Sequence, residues 1–239
     1  MRTAGTIALR ELAGYFRQPA GWIIIALYLL LCGVVFITSV LVPGRAASLR
    51  DFFALSGWLL LPVVPAISMR LIADELRSGT IEQLLTSPVS SLSLVVGKYL
   101  GGLGFIGAML IPTIIYPALL FAYSSPSPSV GPMLTGYLCL LLLGSVYLAL
   151  GLLVSCLTSN ATLAFMVTLF AMLGVLFLPM AAEVAPPRLA SVLAGFSIGP
   201  RVVDFSRGAL DTAHLLFFIL VSSWLILACA AVMEVRRWR

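Results

Sequence analysis

Charged residues are scarce in this sequence. Asp, Glu, Lys and Arg make up only 10% of its 239 residues, whereas 61% of the residues are hydrophobic. A soluble domain ordinarily has about 25% charged residues, with apolar residues making up about half. The composition therefore excludes an ordinary soluble domain and indicates a membrane protein.

Motifs for catalysis and metal binding are absent as well. The one histidine, His214, has no cysteine, glutamate or second histidine at ligand spacing. The four cysteines lie inside apolar runs without a CxxC pair, which indicates buried side chains rather than disulfides. The segment VVGKYL contains Gly97 and Lys98 but lacks the upstream glycine and the following hydroxyl of a phosphate-binding loop. We therefore predict no catalytic residue, no metal site and no directly bound cofactor.

Six long apolar runs are present instead. Each is about 19 to 24 residues long, which as a helix crosses a hydrocarbon core of about 30 Å. The runs are continuous rather than alternating, and this excludes the strands of a membrane barrel. We predict a single all-α, polytopic membrane domain over residues 1–239. Its six spanning helices are expected at Gly21–Val42, Asp51–Met69, Leu100–Tyr123, Met133–Cys156, Ala161–Met180 and Leu215–Met233.

No ionisable side chain is expected in the middle of a run. Proton relays and ion sites need charge at depth, so ion-coupled transport and intramembrane catalysis are disfavoured. Lys98 lies at the inner edge of the third run, where we expect its ammonium to snorkel to the interface. Pro62 and Pro65 in the second run predict kinks that could serve as hinges.

Small residues recur in the third and fourth runs. They let helix backbones approach closely, so we predict that they serve packing, within the chain or between copies, rather than line a pore. The residues are Gly97, Gly101, Gly104 and Ala108, followed by Gly144, Gly151 and Ser155.

Lysine and arginine are unequally divided between the two sides of the membrane. One side receives nine of them and the other five, and the richer side is expected to be cytoplasmic. Both termini and segment 73–91 would then be cytoplasmic, and the positive charge indicates contact with anionic lipid rather than nucleic acid. The nine are Arg2, Arg10, Arg17, Arg70, Arg77, Lys98, Arg236, Arg237 and Arg239; the five are Arg45, Arg50, Arg188, Arg201 and Arg207.

Residues 1–20 predict an amphipathic helix in the cytoplasmic interface, before the first run. Whether it is a plain anchor or a link to a partner stays open. Its apolar face would hold Leu9, Leu12, Ala13 and Phe16, and its polar face Arg10, Glu11, Arg17 and Gln18, with Ile7 as the exception.

The sizeable outer segment is 183–214. Within PRVVDFSRGALDT, the residues Asp204, Arg207 and Asp211 have helical i, i+3, i+7 spacing. A short half-inserted outer helix is predicted, and the charged stripe is either a functional or a solvated face.

Segment 73–91, ADELRSGTIEQLLTSPVSS, is a polar island between apolar runs. Thr80 and Gln83 have capping-box spacing, Gly79 permits a sharp entry, and Ser87-Pro88 ends the helix. Anionic lipid would repel its acids, so we predict that the helix docks into another protein. The acids are Asp74, Glu75 and Glu82, and the apolar face holds Ile81, Leu84 and Leu85.

This region resembles a known family. The stretch PAISMRLIADELRSGTIEQLLTSPVSSLSLVVGKYLGG, from Pro65 to Gly102, is similar to the signature of type-2 ATP-binding-cassette permeases, particularly the gliding-motility-associated branch. The segments GPMLTGYLCLLLLGSVYLALGLLVSCLTSN and DFSRGALDT continue the similarity over nearly the whole chain. Departures from the pattern occur at Leu76, Ala161 and Val202-Val203.

The resemblance implies a six-helix permease with an elbow helix in 1–20, a coupling helix in the cytoplasmic loop 70–98 and re-entrant outer helices in 183–214. It implies two copies, or this chain and a paralogue, in the bacterial inner (plasma) membrane. Two separate ABC ATPase subunits would hold ATP and Mg, and a periplasmic subunit could join them. The expected ATPase-coupling residues are Glu75, Arg77, Gly79, Thr80, Ile81, Glu82, Leu84 and Leu85.

Three functions compete at this point. The leading one is a permease that exports, or extracts from the membrane, a lipid, glycan, peptide or other envelope substrate. The alternative is a mechanotransmitting subunit that relays ATPase motion to a periplasmic partner without transporting anything, although the small outer loops offer it little surface. An ATPase-independent channel or scaffold is disfavoured by the acidic docking helix.

Overall fold

A computed structural model describes residues 2–41, 48–80, 90–123, 129–184, 186, 189–190, 195, 197–206, 208 and 211–237. Most of these residues are helical, and there is no strand among them. The helices are α1 (Arg2–Arg17), α2 (Pro19–Val35), α3 (Arg50–Ser68), α4 (Ala73–Ser78), α5 (Ser91–Leu110), α6 (Ile115–Tyr123), α7 (Val130–Leu157), α8 (Ala161–Val184), α9 (Gly199–Ser206) and α10 (Thr212–Arg237).

Six helical segments are long and apolar enough to cross a membrane, which confirms the predicted number. They are span one (Pro19–Val40), span two (Arg50–Ser78), span three (Ser91–Tyr123), span four (Val130–Leu157), span five (Ala161–Val184) and span six (Thr212–Arg237). The predicted end of span one, Val42, lies outside the described residues. Span three begins at Ser91 rather than Leu100, because Ser90 caps the helix by accepting a hydrogen bond from the Ser93 amide at 3.2 Å.

Span four occupies the centre of the bundle. Its apolar window is 72% buried, against 17% for span five. Helix α7, which forms span four, contacts α3, α5, α8, α9 and α10. Spans two, three and six surround it, and their buried side chains form one continuous core.

Close helix packing depends on the small residues, as predicted. A Cβ atom added at Gly151 would lie 2.0 Å from the Ser68 hydroxyl oxygen, and one added at Gly144 would lie 3.2 Å from Ile106. Spans two and four can therefore approach each other only because position 151 has no side chain.

The prolines and the outer segment complete the fold. Pro62 and Pro65 lie inside α3, which continues through both to Ser68; their role as hinges stays a prediction. Near the N-terminal end of span four, Thr135 donates a hydrogen bond to the Phe205 carbonyl at 2.7 Å and so attaches α9 to the core.

The predicted charged stripe on a single outer helix is wrong. Helix α9 ends at Ser206, and Gly208 follows with a left-handed φ of 87°, which turns the chain. Asp211 then caps α10, since its carboxylate accepts a hydrogen bond from the Ala213 amide at 2.9 Å. Asp204 instead contacts His214 at 3.2 Å. Arg207 lies outside the described residues, and insertion of this segment into the membrane stays a prediction.

Candidate functional site

Span two breaks near its C-terminal end. Helix α3 ends at Ser68, the chain turns, and α4 begins at Ala73. Ser155 of span four holds this break: its hydroxyl accepts from the amides of Ile72 at 3.1 Å and Ala73 at 3.0 Å and donates to the Met69 carbonyl at 3.2 Å. A hydroxyl has one donor and two acceptor positions, so all of them are used. Span four thus supplies the cap that α4 lacks in its own sequence.

Lys98 of span three lies beside the same break. Its ammonium donates to the Leu71 carbonyl at 2.7 Å, the Glu11 carboxylate at 2.9 Å and the Glu75 carboxylate at 2.7 Å. The Lys98 side chain is only 1% exposed, and those of Glu11 and Glu75 are 21% and 20% exposed. We call Lys98, Glu11 and Glu75 the charge cluster; it joins α1, α4 and span three.

The expectation that Lys98 snorkels to the interface is therefore wrong. Three acceptors inside the protein match the three N–H groups of its ammonium, so the charge does not need water. Its contact with Leu71 also satisfies a backbone carbonyl in the turn between α3 and α4. The cluster carries one cation and two carboxylates, and the second oxygen of Glu75 (Oε2) is buried with no partner among the described residues.

The predicted faces of the N-terminal helix also need correction. Glu11 and Ile7 lie on the side that packs against span three, whereas Leu9 is 69% exposed. A Cβ atom at Gly97 would lie 2.8 Å from the Ile7 side chain, and one at Gly101 would lie 2.6 Å from Cβ of Glu11. The glycines form a groove for α1, and Lys98 compensates the charge of the half-buried Glu11. Leu12 and Phe16 pack against the core as predicted, so hydrophobicity misassigned Leu9 and Glu11 rather than the whole face.

Tyr15 fastens α1 to span two. Its hydroxyl donates to the Ile67 carbonyl at 2.9 Å, and its ring stacks on Phe105 with the ring centroids 4.6 Å apart. Burial first, and then the nearby Glu11 carboxylate, raise the pKa of the Tyr15 phenol above its ordinary value. The phenol therefore stays protonated and remains a hydrogen-bond donor at physiological pH.

Of the predicted coupling residues, the structure brings only Glu75 into this cluster. Arg77, Gly79 and Thr80 are exposed, and Gly79 adopts a left-handed φ of 72° with open space around it. This conformation agrees with the sharp turn expected at Gly79. Four predicted residues lie outside the described residues: Ile81, Glu82, Leu84 and Leu85.

Sequence reasoning missed Lys98, Glu11 and Ser155 as members of the site. One signal was present, because a lysine inside an apolar run needs an internal partner unless it reaches the interface. No set of three His, Cys, Asp or Glu side chains among the described residues could hold a metal ion. The arrangement links α4 directly to α1 and to spans three and four.

Replacing Ser155 with alanine is expected to lower the free energy of unfolding by about 1–3 kcal/mol, because two buried backbone N–H groups lose their acceptor. The matched control is Ser145→Ala on the same helix. The Ser145 hydroxyl donates to the Leu142 carbonyl of its own helix and contacts the Ser222 hydroxyl. Its loss therefore leaves no backbone N–H group without an acceptor. Denaturant unfolding of the purified chain in detergent measures both, and equal losses would contradict the capping role.

A family model described as ABC-2 family transporter protein matches residues 5–193 of this chain. The match includes most of α1, the charge cluster, Ser155 and the first five membrane-spanning helices. It does not distinguish the gliding-motility-associated branch, so that finer assignment stays a prediction. No curated protein matches the chain.

Proposed function

Since this chain belongs to the ABC-2 family of transporter proteins and is a six-span permease subunit, we propose that it forms one half of a translocation pathway driven by a separate ATPase. Two copies, or this chain and a paralogue, pair in the inner membrane. Two ATPase subunits bind ATP and Mg, and this chain binds neither. The substrate is a component of the envelope, drawn from the lipids, glycans and peptides.

The charge cluster is the observation that carries this proposal. Helix α4 leads through Gly79 into segment 80–86, the proposed dock for the ATPase. Lys98 ties α4 to α1 and to span three, and Ser155 ties its first turn to span four. Movement of the dock is thereby passed to three parts of the membrane domain at once.

The docking test is Leu84→Asp. Burying one leucine in an ATPase groove stabilises the complex by about 1.5–3 kcal/mol, and a buried unpaired carboxylate costs more. We expect a folded variant that no longer co-purifies with the ATPase. Glu82→Gln is the control, because an exposed rim pair contributes only about 0–1 kcal/mol.

The same preparation separates the competing explanations. The permease alone should show no ATP turnover, and the complex with the ATPase should show it. A folded Leu84→Asp permease that retains the ATPase would show that segment 80–86 is not the dock. An active complex that retains a periplasmic subunit but moves no envelope component would favour the mechanotransmitting alternative.

The proposed orientation places both termini and α4 in the cytoplasm. Cysteines introduced at the exposed positions Ser78 and Arg237 should react with an impermeant reagent only from the cytoplasmic side, and one at Ser129 only from outside. The four natural cysteines are buried, so they contribute little background. Labelling of Ser78→Cys in intact cells would contradict this topology.

A further inference from the structure

We propose that a cleft between α1, the start of span one and the end of span two binds the headgroup of an amine-bearing zwitterionic phospholipid, of the phosphatidylethanolamine class. The cleft has a volume of about 260 Å³. Its polar lining includes Glu11, Arg70 and Asp74, and its apolar lining includes Ile24, Ala66 and Ile67. This inference goes beyond the transport function and does not depend on it.

The lining changes from polar to apolar along span two. Arg70 lies in the break after α3 and Asp74 in the first turn of α4, whereas Ala66 and Ile67 lie within α3. Ile24 lies one turn inside span one. A lipid fits this order, with its headgroup against the charged residues and its acyl chains along spans one and two.

Two charges of opposite sign face this cleft without a partner of their own. Among the described residues, the exposed side chains of Arg70 and Asp74 form no ion pair with each other or with another side chain. A guanidinium is well suited to a phosphate group. The Asp74 carboxylate in turn accepts hydrogen bonds from an ammonium, which has three N–H donors.

The negative charge of Asp74 selects among phospholipids. Glu11 pairs with Lys98 and, at 4.0 Å, with Arg10, and Glu75 pairs with Lys98, so Asp74 is the carboxylate of the cleft lining that has no cation of its own among the described residues. The phosphate of an anionic headgroup would pair with Arg70 but would leave Asp74 beside a second negative charge with no ammonium to offset it. A choline headgroup is zwitterionic but has no N–H to donate to Asp74. The amine-bearing class satisfies both charges.

Native mass spectrometry of the full-length chain in detergent tests the proposal, with phosphatidylethanolamine, phosphatidylcholine and phosphatidylglycerol of identical acyl chains. We expect the ethanolamine lipid to bind about tenfold more tightly than either of the others, the difference of one charge-assisted hydrogen bond. Equal binding of the three lipids, or preference for the glycerol lipid, would overturn the proposal.

Three variants assign the roles. Arg70→Ala should weaken ethanolamine and choline lipids alike by about tenfold, because both lose the phosphate contact. Asp74→Asn should remove the preference for ethanolamine over choline while leaving choline binding unchanged. Arg17→Ala, an exposed arginine of α1 that does not line the cleft, should change neither. Failure of Arg70→Ala or Asp74→Asn to show its pattern at unchanged thermal stability would reject the site.

Soluble phosphoethanolamine distinguishes a lipid site from a site for the free headgroup. In large molar excess it should fail to displace the lipid, because it cannot contact the apolar lining. Full displacement would overturn the assignment to a lipid. The measurement needs no ATPase, so its outcome is independent of the docking test.

Discussion

Replacing Lys98 with methionine is expected to lower the free energy of unfolding by about 3–5 kcal/mol, the usual cost of removing one partner from a buried ionic group. Methionine keeps an unbranched stem of similar length, so little packing is lost. What remains is a pair of carboxylates, Glu11 and Glu75, each only about one-fifth exposed and without their shared cation. Repulsion between them should loosen α1 and α4 together.

The triple variant Lys98→Met, Glu11→Gln, Glu75→Gln is the matched control. Replacing a whole buried ionic cluster with neutral groups is often neutral or stabilising, so we expect most of the lost stability to return. Unfolding of the purified chains in detergent, followed by tryptophan fluorescence, measures all of them. A triple variant as unstable as the single one would show that charge pairing does not explain the effect.

The same variants separate stability from coupling. If the charge cluster transmits motion from the ATPase, the triple variant should fold and bind the ATPase but hydrolyse ATP without moving substrate. Full transport by the triple variant would show that the charge cluster only stabilises the fold. This comparison requires the complex with its ATPase.

Gly101→Ala is expected to displace α1 from span three. The added Cβ would lie 2.6 Å from Cβ of Glu11 and 2.9 Å from the Ala8 carbonyl oxygen, so the α1 backbone has to move. Overpacking of this kind costs about 1–3 kcal/mol, and movement of Glu11 away from Lys98 adds to the loss. Amide hydrogen exchange in α1 should become faster.

Gly104→Ala is the matched control on the same helix. Its Cβ would meet the Leu12 methyl groups at 3.6 Å, an ordinary contact. Alanine is also the better helix former by about 1 kcal/mol, so this variant should be as stable as the natural chain or slightly more so. Equal exchange rates in α1 for the two variants would contradict the groove described for Gly97 and Gly101.

The six spans were predictable because the bilayer fixes the length of an apolar helix, and the runs meet that length. The turn at Gly79 was also predictable from the sequence, since a residue with left-handed φ is usually glycine. The charge cluster could not be predicted from the sequence, because tertiary packing brings together positions 11, 75 and 98, which are far apart in the chain. Periodicity placed Glu11 on a polar face, whereas pairing with Lys98 allows its side chain to be largely buried against span three. Helical spacing likewise joined Asp204 to Asp211 across a turn at Gly208.

The cap that Ser155 provides has a consequence for biosynthesis. Spans enter the membrane in the order in which the ribosome delivers them. Ser155 is made 82 residues after Ala73, and its hydroxyl accepts a hydrogen bond from the Ala73 amide. A nascent chain that ends before span four therefore contains α4 with its first amides uncovered, even though spans two and three are complete. The surface that we propose as the base of the ATPase dock is therefore completed only after span four has been made. We expect the ATPase to bind the subunit only from that stage of synthesis onward.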